Sequence, residues 1–418
     1  MNAPNTSDKK TFAALKIKDF SFFVSARFFL TLANQMQGLI VGWQIYEFTK
    51  NPLWLGMIGL AEALPFICTA LFAGHIADIV PRKKIILIAM SGVLISSFAL
   101  AYFSYHNSAF IKTHGVLPIY GVIFLTGIAR AFIGPSFFAF MSQIVPRELY
   151  SNAATWNSAV WQTGAIGGPA LGGFLYVALG AEISYQIVFC LAAFAFLLFL
   201  FIAAKPISPK EKKESLFESL GVGIRFVFKN QIILGALSLD LFAVFFGGAV
   251  ALLPIFAAEV LKVGPTGLGI LRAAPSVGAV IMSFIMAYFP PMKNAGKKML
   301  FAVGGFGICM ILFAISPYFY LSVFVLALSG ACDNVSVIVR STALQLMTPD
   351  NMRGRVSAVN NIFIGSSNEI GEFESGLAAH WMGLIRSVIF GGCMTLLVTG
   401  ITSKKAPKLR ELNLDDFK

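Results

Sequence analysis

A helix crosses the hydrocarbon core of a bilayer with about 20 consecutive apolar residues. This chain holds twelve stretches of about that length, at 21–46, 53–77, 85–104, 117–142, 152–178, 183–204, 231–258, 265–289, 299–316, 318–346, 355–379 and 384–402. Little is left between them for a separate soluble domain. Composition agrees: of 418 residues, 57% are hydrophobic and 12% charged, where a soluble domain carries about 25% charged. Backbone N–H and C=O groups find no water in lipid, so a spanning segment of this length satisfies them internally as a helix. The fold class expected is an all-α membrane protein of twelve transmembrane helices.

The net charge of +12 would fit a nucleic-acid binder, but its distribution does not. With the N-terminus inside, the cytoplasmic segments hold 24 of the 32 Lys and Arg, and the outer loops hold four: Lys50, Lys112, Lys262 and Arg386. The remaining four, Arg27, Arg130, Arg272 and Arg340, lie within spans. This is the positive-inside pattern, with both termini cytoplasmic and the basic loops facing anionic lipid. The first eighteen or so residues are polar and basic, and the apolar run after them is too long for a signal-peptide core. The first span is therefore expected to be an uncleaved insertion signal. Cys68, Cys190, Cys309, Cys332 and Cys393 are scattered singly through apolar sequence, without metal-ligand or redox spacing, and read as small core residues. The four histidines form no cluster. No metal and no cofactor is expected.

The chain repeats itself. Residues 144–173 align with 347–376 at an offset of 203, matching Pro146 with Pro349, Asn157 with Asn360, Gly168 with Gly371 and Gly173 with Gly376. Spans two and eight align at an offset of 210, Gly59 with Gly269 and Pro65 with Pro275. Two parallel six-span repeats are the signature of a transporter whose halves rock about a site at the midplane. The expected organisation is an N-terminal half at 1–204, a cytoplasmic linker with an amphipathic helix at 205–230, a C-terminal half at 231–403 and a cytoplasmic tail at 404–418.

The loop after span two reads GHIADIVPRKK, with Gly74, Asp78, Arg82 and Lys83. It resembles the signature loop of the major facilitator superfamily, although Ile79 and Pro81 depart from the pattern and the second-half copy lacks the Asp. The resemblance implies a latch between the halves in the outward-facing state. Span four carries Arg130 four residues before Gly134, the spacing of that superfamily's intramembrane arginine motif, with Ile133 in place of its usual glutamine. Span five spells GAIGGPALGG, with Gly164, Gly168, Pro169, Gly172 and Gly173. It is similar to the motif of antiporters and drug exporters in the superfamily. Glycines at i, i+4 and i+8 also make a smooth ridge for close helix packing, and the proline adds a bend. The segments SNEIGEFESG and ALLPIFAAEVLKVGPTGLGILRAAPSVGA resemble the branch that contains the enterobactin exporter and related efflux permeases, so the likeness covers nearly the whole chain.

Six acids fall within spans: Glu62, Asp240, Asp333, Glu369, Glu372 and Glu374. Ionisable groups at membrane depth mark pathways or pairs. Glu62 and Arg272 occupy aligned positions of spans two and eight, and Asp333 aligns with Arg130. At 100° per residue Asn361, Gly365, Asn368 and Glu372 share one stripe of span eleven, with Glu369 at its edge and Glu374 elsewhere. Proton-coupling candidates are Glu372, Asp240, Glu369, Asp333 and Glu62, with Asp240 the unpaired alternative to Glu372. Glu374 is expected to hold span eleven near span two. Substrate-pathway candidates are Asn34, Gln35 and Gln37 in span one, Arg130, Asn361 and Asn368.

The function these features imply is export of a small siderophore- or drug-like molecule across the cytoplasmic (inner) membrane in exchange for protons, by a monomer in the lipid bilayer. A proton-coupled importer and a non-transporting receptor on the same fold are the alternatives. No His-Glu-x-x-His pair or nucleophile points to an enzyme.

Overall fold

The computed structural model describes residues 12–105, 113–205, 216–349 and 352–417. Its helices in chain order are α1 (Lys18–Thr49), α2 (Pro52–Ile79), α3 (Arg82–Ser104), α4 (Leu117–Ile144), α5 (Tyr150–Leu200), the linker helix α6 (Leu216–Lys229), α7 (Gln231–Gly247), α8 (Gly264–Tyr288), α9 (Ala295–Ile315), α10 (Phe319–Met347), α11 (Arg353–Met382) and α12 (Leu384–Lys405). Each apolar stretch of the sequence centres on one of these helices, and spans five and six share α5. That helix is interrupted at Gly180, whose φ of 78° belongs to the left-handed region that glycine enters freely. Gly383, at φ 89°, makes the corresponding turn between α11 and α12.

Among the described residues, nine helical segments are long and apolar enough to cross a membrane. α5 is counted once in that number although it holds two spans. α1 and α11 fall short, and the reason is visible in their side chains. α1 carries Asn34, Gln35, Gln37 and Gln44, and α11 carries Asn360, Asn361, Asn368 and three glutamates. The two least apolar long helices hold most of the proton-coupling and substrate-pathway candidates.

The stretch expected as a single span at 231–258 is broken. α7 starts on the cap of Asn230, whose Oδ1 accepts from the Ile232 and Ile233 N–H groups at 3.0 and 3.2 Å, and ends at Gly247. Short turns over Val250–Leu252 and Leu253–Ile255 lead into a π-helical turn, Phe256–Val260. Continuous hydropathy hid the interruption, because Gly247, Gly248 and Ala249 bring no polar side chain, while the two glycines are weak helix formers.

Contacts divide the chain into two compact units: Met1–Val41 with Leu64–Glu211, and Gly42–Ala63 with Lys212–Lys418. The tip of the α1–α2 hairpin is thus grouped with the second unit. The first unit is centred on buried phenylalanines, with Phe23 against Phe137 at 5.2 Å between ring centroids and Phe140 against Phe199 at 5.5 Å. In the second unit α8 and α10 cross with backbones touching: a Cβ on Gly278 would strike the Ala327 carbonyl, and one on Gly330 the Pro275 carbonyl. The segment after α12 folds back into this unit. Leu409, Leu412 and Leu414 are buried with Ala236, Leu239, Met299 and Val339. The Gly296 N–H donates to the Leu412 carbonyl at 3.2 Å and the Leu414 N–H to the Met292 carbonyl at 2.9 Å. The linker helix α6 rests on α11 through Gly223, where a Cβ would stand 2.9 Å from the Arg355 carbonyl oxygen. Its Val227 is buried beside Val356 and Val359, while Ile224 and Phe228 face outward. Residues 206–215 of the expected linker lie outside the described residues.

Candidate functional site

The opposite charges that align between spans two and eight lie together in the second unit. Arg272 on α8 is in the field of Glu372, then Glu62, then Glu369. Helix α2 approaches α11 closely enough to bring them there. A Cβ on Gly59 would lie 2.7 Å from Glu372 Cβ and would strike the Glu369 carbonyl oxygen, and one on Gly56 would lie 2.8 Å from Gly376 Cα. Arg272 also reaches α1, with Nη1 3.9 Å from a Cβ built on Gly42. The side of α11 that meets α2 therefore carries Glu369, Glu372, Phe373 and Gly376, one face at i, i+3, i+4 and i+7. Glu374, expected against span two, is off that face. No hydrogen bond or ion pair involves it among the described residues. Asn361 and Asn368 are exposed on α11, and Glu369 is buried.

A second charge cluster joins α7 to α10. Asp240 is buried and ion-paired with Arg340, itself buried, and Asp333 lies in the field of both. Asp240 is therefore not the unpaired acid expected at this depth. Arg340 is held by Asp240 of α7. Two residues from sequence-distant spans make such a pair, and no spacing in the sequence announces it. Cys309 and Cys332, expected to be isolated, also meet: Cys332 Sγ is 3.1 Å from a Cβ built on Gly305, one turn before Cys309 on α9, and the two thiols are within hydrogen-bonding reach. Among the described residues no group of three or more His, Cys, Asp or Glu could hold a metal ion.

In the first unit the glycines of α5 lie on α1. A Cβ on Gly164 would stand 2.8 Å from Thr31 Cγ2, one on Gly168 2.5 Å from Gln35 Cβ, and one on Gly172 3.2 Å from Met36 Cα. Pro169, Gly172 and Gly173 are buried in the same seam. Gln35 thus sits at its base on the seam. Gln37 is buried and its Oε1 accepts from Ser97 Oγ on α3 at 2.8 Å. Asn34 Oδ1 is buried without a hydrogen-bond partner among the described residues. Arg130 is exposed on α4. Of the signature loop, Arg82 donates to the Ala139 carbonyl at 3.1 Å and Lys83 to the Leu200 and Ile202 carbonyls at 2.9 and 2.5 Å. Lys83 there satisfies carbonyls at the C-terminal end of α5, where a cation is favoured. Gly74 lies on α2 and so does Asp78, whose side chain is outside the described residues.

Long apolar helices with glycine seams and charges at membrane depth define a multi-pass membrane protein. Solved structures share the fold: a POT family transporter in complex with 5-aminolevulinic acid aligns with a TM-score of 0.74 at 12% identity, covering 93% of this chain and 96% of that one. The nucleoside transporter NupG aligns at 0.72 and 13% identity, covering 92% and 99%. A bacterial homolog of the human lysosomal transporter Spinster, inward-facing and unoccupied, aligns at 0.69 and 15% identity, covering 96% and 98%. Residues 9–417 match the family described as transmembrane secretion effector, and the chain belongs to that family, within the major facilitator superfamily. It is a multi-pass membrane efflux transporter and not an enzyme. Among its relatives are proteins named enterobactin exporter EntS. That of Salmonella typhi is 27% identical over 335 residues, spanning 80% of this chain and 79% of the relative. That of Shigella flexneri is 26% identical over 336 residues, spanning 80% and 78%.

Proposed function

We propose that this protein exports a small organic molecule of siderophore or drug type across the inner membrane, in exchange for protons, by alternating access of its two six-span halves. The observation that carries the reading is the cluster of Glu62, Glu369 and Glu372 around the single guanidinium of Arg272. Three carboxylates share the field of this one guanidinium, and like charges drawn toward one cation away from bulk water repel one another. A proton relieves that repulsion, and its departure restores it. Glu372 is the coupling acid in this reading, because it shares its stripe with the exposed amides of Asn361 and Asn368. The enterobactin exporters among its relatives support a siderophore-like substrate, and the likeness of GAIGGPALGG to the exporter motif supports export.

The test uses purified protein in liposomes with an imposed pH gradient, with enterobactin and the lipophilic cation ethidium as probes. Wild type is expected to move at least one of them against its gradient, with protons moving oppositely. Glu372→Gln is expected to reduce pH-driven efflux to background and to retain counterflow exchange of the same probe. Full pH-driven efflux by Glu372→Gln, together with its loss in Asp240→Asn, would transfer the coupling role to α7. Gradient-driven uptake toward the cytoplasmic face would make the protein an importer.

A further inference from the structure

Arg27, within span one, forms no ion pair among the described residues. Its guanidinium lies over the Phe137 ring of α4, 5.4 Å from the centroid, and its Nε is buried without a hydrogen-bond partner there. The acids of α1 are engaged elsewhere, Asp19 with Lys205 at 2.9 Å and Glu47 with Trp43 Nε1 at 2.7 Å. Helices α3 and α4 carry no acid, and α5 carries Glu182 alone, beyond its break at Gly180. On α2, Glu62 is grouped with the second unit, and the Asp78 side chain is outside the described residues. An arginine at membrane depth is costly without an anion, and an aromatic face offsets only part of that cost. The α7–α10 contact, by comparison, closes its charge internally through Asp240 and Arg340.

Two amides share its surroundings. Asn34 is seven residues further along α1, so it returns to nearly the same face about 10 Å away. Its Oδ1 is buried and without a partner among the described residues, as is Oδ1 of Asn157 on α5. Asn157 precedes Gly164 by the same seven residues and so shares the face of α5 that meets α1. Gly164 lies against Thr31 and Gly168 against Gln35, so the two helices run in parallel at a fixed register. That register sets Asn157 level with Val24, one turn before Arg27. Buried polar groups are nearly always hydrogen-bonded. Here a cationic donor and two amide acceptors stand unmet along one wall of the first unit, and a ligand that satisfies them has the reverse pattern.

We propose that Arg27, Asn157 and Asn34 form a binding site for a hydroxylated organic anion. The acid group sits on the Arg27 guanidinium, and O–H or N–H groups of the ligand donate to Asn157 at that level and to Asn34 nearly two turns on. The inference rests on the export reading and deepens it by fixing the charge of the cargo. Of a siderophore-like acid and a lipophilic cation, this wall admits the first and repels the second.

The experiment measures ligand-dependent melting of the purified full-length protein in detergent. The anion para-hydroxybenzoate is expected to raise the wild-type melting temperature saturably, and the uncharged para-hydroxybenzamide and the cation ethidium are expected not to. Arg27→Gln is expected to weaken the anion at least tenfold, and Arg27→Lys to recover part of the loss. Asn157→Ala is expected to weaken para-hydroxybenzoate several-fold and benzoate, which has no hydroxyl, hardly at all. Asn34→Ala is expected to discriminate in the same way between the hydroxylated and plain biphenyl carboxylates, whose greater length reaches it. Without ligand, Arg27→Gln is expected to melt no lower than wild type, because it removes an unbalanced cation. A lower melting temperature would make Arg27 a structural cation and overturn the site. So would an anion response equal in wild type and Arg27→Gln, or equal binding of the uncharged amide. Efflux from liposomes separates this from the underlying reading. Ethidium efflux indifferent to Arg27→Gln, without anion binding, keeps export and defeats the site. Anion binding without efflux of any probe keeps the site and defeats export.

Discussion

The two repeats build the same helix seams from different chemistry. In the first, α5 lies on α1 through Gly164, Gly168 and Gly172, and the α1–α4 contact places the Arg27 guanidinium over the Phe137 ring at 5.4 Å. At the offset of 203, those glycines become Ser367, Gly371 and Ser375 on α11, and Phe137 becomes Arg340. Gly371 still approaches backbone closely, with a Cβ there 2.9 Å from the Phe245 carbonyl oxygen of α7. Ser375 instead donates to the Gly248 carbonyl at 2.8 Å, where α7 has broken and freed that group. Arg340 pairs with Asp240 on α7. A shared geometry has thus been filled by smooth packing and an aromatic face in one half, and by ion pairs and an interrupted helix in the other. The acid clusters described above, together with the break in a long helix, all fall in the second unit.

The largest expected contrast lies at these equivalent α1–α4 and α7–α10 contacts. Removing one partner of a buried ion pair leaves an uncompensated charge and costs about 3–5 kcal/mol, so Arg340→Ala should unfold far more easily than wild type in detergent. The paired apolar replacement Asp240→Leu with Arg340→Met should regain most of that loss. In the first repeat Phe137→Leu should cost less, since it removes a cation–π contact of about 0.5–2 kcal/mol and ring contacts with Phe23 and Phe199 but leaves no unpaired acid. Equal destabilisation in the two repeats would erase the distinction. A middle effect is expected at the seams. Gly168→Leu and Gly371→Leu both drive a side chain into backbone, which costs about 1–3 kcal/mol where repacking is incomplete. Both should lower probe efflux in well-inserted protein. Wild-type efflux in either would show that its seam is looser than the distances imply. The smallest effect is expected at Ser375→Ala, which strips the Gly248 carbonyl of its partner at about 1 kcal/mol. The matching change Gly172→Ser should not stabilise the first repeat, because its new hydroxyl meets Met36 and no freed carbonyl. A stability gain there, by thermal denaturation, would undo that half of the contrast.

Apolar run length and the GAIGGPALGG ridge made the helices and the first-repeat seam legible in the sequence, because these are local patterns. The periodicity of α11 also placed Glu372 with Asn361 and Asn368. What escaped were facts of long-range pairing. The Asp240–Arg340 pair and the Cys309–Cys332 approach each depend on how two helices rotate against each other, and one helical period fixes only relative angles within a helix. The assignment of Glu374 to the α2-facing side failed for the same reason. The helix break at Gly247–Ala249 was masked because its residues bring no polar side chain. The grouping of residues 42–63 with the second unit follows from tertiary contact alone.

The segment after α12 has a consequence for the timing of assembly. Leu409, Leu412 and Leu414 fill a space between the ends of α7, α9 and α10 that no earlier residue occupies. A chain leaving the ribosome can insert all its helices and still present that gap, with Gly296 and Met292 awaiting the strand-like contacts they make with Leu412 and Leu414. Until those leucines arrive, the apolar cluster of the second unit lacks the side chains that complete it. A chain cut after α12 would therefore leave Ala236, Leu239, Met299 and Val339 without the leucines that bury them.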